Sequence, residues 1–331
     1  MKKLSAVILG ISFLSSISSF AVSQEFSKIT PQKYSLPVGT LVAKGGVNIS
    51  AKDVNFKNDK TKLNLSGTLY TPKNFDKNKK YPAIIVTGPM LSVKEHSQSI
   101  YAQRLAELGY ITLVFDYTYF GESEGKPRFF EDPDMKASDI SSAVTYLLSL
   151  KNIDLKHIAA IGICGSGGYV PHAAIKDLRI SSVISIVPFT VQDEWLQVPL
   201  GEAVKDRKNY EETGNAKYIS LMDSNAEGAA YYYNEDRGYR ENWSNLTVTW
   251  SEETWQKYHP TQEIKNLKVP YLVITSENAF TREQAQKLFD NAVTKKELYV
   301  VKKAGHFDMY DLDPYVSENL KVIDRFLKEN I

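Results

Sequence analysis

The stretch that most constrains this chain runs His157-Ile158-Ala159-Ala160-Ile161-Gly162-Ile163-Cys164-Gly165-Ser166-Gly167-Gly168-Tyr169. Its apolar part, Ile158 to Ile163, reads as a buried strand, and Tyr169 to Ile175 reads as the start of a helix. A strand, a glycine-rich sharp turn and a helix make the geometry that lifts one side chain above a sheet. Small neighbours are needed because the backbone folds tightly there. Gly162 lies two residues before Cys164, which makes Cys164 the raised side chain. Ser166 competes for that role, but Cys164 would crowd the tight position of its turn. Ser166 also falls one step inside the helix, where its hydroxyl can cap the helix start.

The segments around this turn alternate. Strands are predicted at Val54 to Lys57 and Leu63 to Tyr70, divided by a turn at Asn58-Asp59-Lys60. Further strands follow at Tyr81 to Thr87, Ile111 to Phe115, Ile180 to Val187, Val269 to Thr275 and Glu297 to Val301. Amphipathic helices are predicted at Ile100 to Leu108, Met135 to Leu150, Arg282 to Ala292 and Pro314 to Lys328. Apolar, β-branched strands alternating with such helices give an α/β fold with a mostly parallel sheet covered on both faces. Sites in such sheets lie at the carboxyl ends of the strands, where Cys164 stands. The alternation breaks from Pro188 to Pro260, a region holding Trp195, Trp243, Trp250, Trp255 and Tyr231-Tyr232-Tyr233. So long a connection predicts a helical cap inserted at residues 188–260, between core segments 51–187 and 261–331.

The ends and composition bound the setting. Met1-Lys2-Lys3, an apolar run from Leu4 to Phe20 and small-x-small sites at Ser19-Phe20-Ala21 and Ala21-Val22-Ser23 predict a signal peptide over residues 1–23. The mature chain is then expected in the periplasm or outside the cell, beginning with an irregular lead-in over residues 24–50. Removal of that peptide leaves 38 basic against 39 acidic residues. Such a balance, with no basic stripe, gives no reason to expect a nucleic-acid partner. No later segment is long and apolar enough for stable membrane insertion. The one cysteine, Cys164, permits no internal disulfide even in an oxidising compartment.

The frame Gly162-Ile163-Cys164-Gly165-Ser166-Gly167 resembles the Gly-x-Cys-x-Gly-Gly elbow of dienelactone hydrolases, a subgroup of the alpha/beta hydrolases, with Ser166 in place of a glycine. Tyr70-Thr71-Pro72 and Tyr81 to Val86 look like the entry to that family's central sheet. Gly88-Pro89-Met90 stands where the family places its oxyanion loop. Asp116 followed by Phe120-Gly121-Glu122-Ser123-Glu124-Gly125 looks like its second, structural turn, which removes Ser123 as a nucleophile. Ala304-Gly305-His306 resembles the histidine turn. The resemblance covers about residues 50 to 330. It implies an alpha/beta-hydrolase fold with a cap, and it says little about substrate.

The chemistry also follows from the residues. A thiol attacks as thiolate, and a helix N-terminus favours that charge. Cys164 therefore needs a histidine to take its proton, an acid to orient the histidine, and two amides to hold the oxyanion. The amides expected are those of Gly165 and of Met90 or Leu91. Of the five histidines, His157 opens the elbow strand at its wrong end, His172 lies inside the elbow helix and His259 precedes Pro260 in a linker. His96 follows the oxyanion loop. His306, on a turn past a terminal strand, is the catalytic candidate. The acid expected is Glu277, in Ser276-Glu277-Asn278-Ala279-Phe280-Thr281, with Asp193 as the alternative and Asp308 read as a turn or structural carboxylate. Tyr169, Trp195, Tyr232 and Arg237 are the residues expected to bind substrate, a small acyl compound. No metal motif and no dinucleotide fingerprint is present, so no cofactor is expected. Three readings follow: a Cys164 hydrolase of esters, lactones or thioesters; the same hydrolase with Ser166 attacking; or a non-catalytic binding protein. The last stays open because the aspartate common in the acid position is missing.

Overall fold

The computed structural model describes residues 33–190, 198–221 and 227–331. The signal peptide, the start of the lead-in, Trp195 and Asp193 lie outside them. A hairpin opens the sheet: β2 (Ile49–Lys57) pairs antiparallel with β3 (Asn64–Pro72) across the predicted turn, while β1 (Leu41–Val42) pairs with distant β12 (Leu312–Asp313). Then β4 (Tyr81–Thr87), α1 (Ser97–Glu107), β5 (Ile111–Phe115), α2 (Pro133–Ser149), β6 (Ile153–Ile163), α3 (Ser166–Lys176) and β7 (Ser182–Ile186) alternate as the periodicity predicts. After the insertion come β10 (Tyr271–Asn278), α8 (Arg282–Asn291), β11 (Lys296–Gly305), the short α9 (Asp308–Asp311) and α10 (Tyr315–Asn330).

The eight strands run in the order β11-β10-β7-β6-β4-β5-β3-β2, and the six from β11 to β5 are parallel. Side-chain alternation along one strand feeds two cores. Ile84 and Val86 of β4 enter the core under α1 and α10, whereas Ala83 and Ile85 enter the core under α2, α3 and α8. The chain passes from β4 outward to β5 and then returns to the other side of β4 to lay down β6. This switch point opens a crevice beyond the carboxyl ends of β4 and β6.

The insertion mixes short elements. Among its described residues are α4 (Gly201–Thr213), a two-stranded ribbon of β8 (Tyr218–Ser220) and β9 (Leu246–Val248), and the short helices α5 (Ala229–Tyr232), α6 (Ser251–Trp255) and α7 (Pro260–Glu263). Its aromatic residues are mostly interior: Tyr231, Tyr232 and Trp243 join the α1-side core, and Trp250 packs with Ala203 and Val248. Among the described residues no helix is long and apolar enough to cross a membrane.

Candidate active site

The loops that follow β4 and β6 meet at the switch point. Cys164 sits in the left-handed region at φ 55°, an uncommon conformation for a side chain with a Cβ and one that costs on the order of 1–3 kcal/mol. The surroundings fix it there. Its amide donates to Ile186 O (2.9 Å), and its carbonyl accepts from the amides of Gly167 (2.8 Å) and Phe189 (2.9 Å). Two glycines make the turn sterically possible. A Cβ on Gly162 would stand 2.0 Å from Ser166 O, and one on Gly165 would stand 3.0 Å from Met90 N. The second approach brings the β4 loop against the elbow. The amides of Gly165 and Met90 both act on the Cys164 thiol, lowering its pKa against the effect of burial. Leu91, the other candidate for the second amide, has φ 63° and packs its side chain into the α2-side core.

His306 follows β11 and is fully buried. Its Nδ1 lies 3.0 Å from Thr281 Oγ1, and its Nε2 lies 3.0 Å from Tyr310 Oη. The Thr281 hydroxyl donates to Val187 O (3.4 Å), so it accepts from His306, which places the proton on Nδ1. Nε2 is then the acceptor, and the Tyr310 hydroxyl donates to it. The Tyr310 hydroxyl also lies near Cys164 and Tyr232, and its polarity opposes the rise that burial imposes on both groups. Tyr310, His306 and Thr281 thus form one hydrogen-bonded chain.

Burial dominates the electrostatics of this chain. It pushes the Cys164 thiol up to about 11, against the opposing hydrogen bonds from Tyr310, Gly165 and Met90; the negative charge of Glu131 adds to the rise. Burial lowers His306 to about 3. Both groups are therefore neutral at pH 7, a thiol beside an imidazole and not a preformed ion pair.

Glu277 does not meet His306. β10 continues to Asn278 instead of stopping at Thr275, so Glu277 still belongs to the strand and points to solvent. Its carboxylate accepts from the Lys303 amide of β11 at 3.0 Å. The loop that faces the imidazole begins later, and Thr281 is the residue that reaches it. Asp308 is also occupied elsewhere, accepting from the Gly305 amide at 2.8 Å.

The residues expected to bind substrate divide. Tyr232 lies by the thiol, stacked on Trp243 with ring centroids 4.6 Å apart. Arg237 does not present its charge to a substrate. It is buried in an ion pair with Asp311 (2.6 Å), donates to Phe307 O (2.8 Å), and lies over the Tyr231 ring. It fastens the insertion to the histidine turn. His96 does the same on the other loop: Nδ1 accepts from the Val93 amide and Nε2 faces Gly238 O at 2.9 Å. Tyr169 is also inaccessible, its hydroxyl donating to Glu131 Oε1 at 2.8 Å. Glu131 in turn pairs with fully buried Lys136, whose ammonium lies over the rings of Tyr117, Phe120 and Tyr169. Ser166 is buried beside them, its hydroxyl 2.9 Å from Tyr117 Oη.

Sequence reasoning missed Thr281, Tyr310 and the Glu131–Lys136 pair. Tyr310 carried the one usable signal: it stands four residues after His306, the spacing that brings side chains together across a helical turn. Among the described residues no three His, Cys, Asp or Glu side chains converge in a metal-binding geometry.

Comparison with known proteins agrees with this architecture. The family model for X-Pro dipeptidyl-peptidase (S15 family) matches residues 61–308. The uncharacterized protein PA2218 of Pseudomonas aeruginosa is 31% identical over 272 residues, covering 75% of this chain and 73% of that protein. Its crystal structure superposes with a TM-score of 0.78 over 95% of this chain and 99% of that one. The alpha/beta hydrolase GrgF from Penicillium sp. sh18, 23% identical, superposes with a TM-score of 0.71 over 85% of this chain and 99% of that chain. A thiohydrolase of Eupenicillium brefeldianum is 26% identical over 265 residues, covering 75% of this chain and 84% of that protein.

Proposed function

The chain belongs to the X-Pro dipeptidyl-peptidase (S15) family, with the alpha/beta-hydrolase fold, and from that premise we propose a hydrolase of carboxylic ester, lactone or thioester bonds acting through an acyl-Cys164 intermediate. The observation that carries this reading is the left-handed turn at Cys164, with Gly165 packed closely against the backbone of Met90. In this reading the amides of Gly165 and Met90 hold the oxyanion. The dienelactone-hydrolase-like elbow belongs to this proposal, as does export to the periplasm or beyond.

The reaction balances as two acyl transfers. Cys164 Sγ bonds to the acyl carbon as its proton leaves toward His306, and the carbonyl electron pair moves onto the oxygen held by the two amides. Collapse breaks the bond to the leaving group, which departs with the proton returned from His306. Water then attacks, giving its proton to His306; the carbon–sulfur bond breaks, and the thiol recovers that proton.

The leaving group can be argued from the imidazole. An amine leaves only after protonation, which asks most of the general acid, whereas a thiolate with a pKa of about 8.5 needs little help. Among the described residues no carboxylate hydrogen-bonds the His306 imidazole, which favours thioesters and activated esters over peptides. The thiohydrolase relative points the same way. One structural observation favours a different reading, a binding protein without turnover: the group on His306 Nδ1 is the Thr281 hydroxyl, where a triad places an acid.

A panel of short acyl thioesters, p-nitrophenyl esters and lactones, assayed with Cys164→Ala and Ser166→Ala, tests these readings. Cys164→Ala should lose on the order of 10³ or more in kcat. Ser166→Ala should stay within about tenfold, since its hydroxyl serves a buried hydrogen bond. Retained turnover in Cys164→Ala with a dead Ser166→Ala would move the nucleophile to Ser166. No turnover of any panel member by the wild-type chain would favour the binding protein.

A further inference from the structure

We propose that Thr281 is a positioning residue of this site, its hydroxyl holding His306 as the tautomer that carries its proton on Nδ1 and leaves Nε2 as the base. The inference rests on the Cys164 reading above and deepens it. A neutral imidazole has one donor nitrogen and one acceptor nitrogen, and its partners choose between them. On one edge of the ring, Nε2 lies 3.0 Å from Tyr310 Oη, a hydroxyl that serves either as donor or as acceptor and so makes no choice. On the other edge, Nδ1 lies 3.0 Å from Thr281 Oγ1. Among the described residues the Thr281 hydroxyl meets one further group, Val187 O at 3.4 Å, a carbonyl that only accepts. The Thr281 proton is committed there, so its oxygen is left to accept from Nδ1–H. The choice of tautomer is made on the Thr281 side.

Two local features show what this arrangement gives up to exist. Thr281 is the N-cap of α8, a place where a threonine hydroxyl commonly accepts from the amides of the first turn. Here it makes no capping hydrogen bond and is fully buried, turned to the imidazole instead. Val187, just past the end of β7, is β-branched and yet lies in the left-handed region at φ 38°, where such a residue is an outlier. Its amide donates to Ile274 O at 2.7 Å, and its carbonyl takes the Thr281 proton. A lost cap and a strained residue therefore converge on one hydroxyl, and strain of this kind collects at functional sites. Phe280, the residue before Thr281, packs on the face of the same imidazole with ring centroids 4.3 Å apart. Neighbouring residues of one loop thus hold the ring by its face and by its edge. Unlike a carboxylate, the hydroxyl orients the imidazole without adding negative charge.

Nitrogen-15 NMR of the histidine rings reads the tautomer without any assumption about substrate. Spectra would be recorded at pH 7 on the labelled chain for wild type, Thr281→Val and Thr281→Ser, with His306→Asn identifying the His306 signals. Valine keeps the shape of threonine and removes only the hydroxyl. In wild type and Thr281→Ser the proton should sit on Nδ1. In Thr281→Val, where Nδ1 has lost its acceptor, it should move to Nε2, with Tyr310 Oη accepting it. Turnover of p-nitrophenyl acetate gives the second readout. Thr281→Val should lose on the order of tenfold or more in kcat with KM within about twofold, while Thr281→Ser should stay within about threefold of wild type. A wild-type proton on Nε2, an unmoved proton in Thr281→Val, or full kcat in Thr281→Val would overturn the proposal. The first of these needs no variant, so the proposal stays exposed to refutation even if Thr281→Val does not fold. Failure of the underlying hydrolase reading looks different: the His306 tautomer would respond to Thr281→Val as expected, while Cys164→Ala hydrolysed p-nitrophenyl acetate as fast as wild type.

Discussion

Removing the Arg237 side chain should cost more stability at pH 8 than at pH 5. Arg237 and Asp311 pair at 2.6 Å, with relative side-chain exposures of only 6% and 2%. The guanidinium also donates to Phe307 O at 2.8 Å. In Arg237→Met the Asp311 carboxylate stays buried without its cation, a change that typically costs about 3–5 kcal/mol. Burial already raises the Asp311 pKa above its ordinary value, and Arg237 opposes that rise. Without Arg237 the folded pKa climbs further. A group with a raised folded pKa contributes its stability below the unfolded pKa and loses it as pH rises through the folded value. The variant is therefore expected to lose the full amount at pH 8 and less at pH 5, where Asp311 can take a proton. Urea denaturation of wild type and Arg237→Met at both pH values measures it, with Arg237→Met/Asp311→Leu as the control that removes both charges. The double variant should recover much of the loss and most of the pH difference. A loss below about 1 kcal/mol at pH 8, as for an exposed pair, or one equal at both pH values, would refute the reasoning.

Glu277→Gln should leave turnover within about twofold, because an exposed hydrogen bond to the Lys303 amide is all it loses; a loss on the order of 10² would restore Glu277 as the triad acid. Gly162→Ala should abolish folding or cost more than about 4 kcal/mol, since its Cβ would stand 2.0 Å from a backbone oxygen, and an unchanged denaturation midpoint would contradict the elbow geometry. Export predicts a mature N-terminus near Ala21 or Ser23 in the periplasmic or extracellular fraction, read by N-terminal mass spectrometry; an intact Met1 in the cytoplasm would reject it.

Much of this molecule was legible from local pattern. Strand and helix periodicity are properties of contiguous residues, so β4 at Tyr81–Thr87 and β5 at Ile111–Phe115 fall where the apolar runs place them. The elbow is legible for the same reason: Gly162, Cys164 and Gly165 are neighbours whose spacing dictates a turn. The Met90 amide was within reach of sequence reasoning because it follows the β4 strand, which the structure sets beside β6.

What the sequence could not decide depends on side chains brought together from distant segments. Glu277 and Thr281 lie in one short stretch, and the choice between them turned on how far β10 extends against β11. Their pairing slips at Ser276/Asn278, an irregularity that depends on both strands. Arg237 is one more basic residue in an aromatic-rich insertion until Asp311, 74 positions away, is found buried against it. Tyr310 likewise gains meaning only when α9 sets its hydroxyl 3.0 Å from the imidazole that follows β11. Sequence by itself determined the sheet, the turn and the nucleophile candidate, because short-range sterics and periodicity specify them. Tertiary structure alone decided what His306 touches, because burial and hydrogen-bond pairing are settled only when remote strands close around the site.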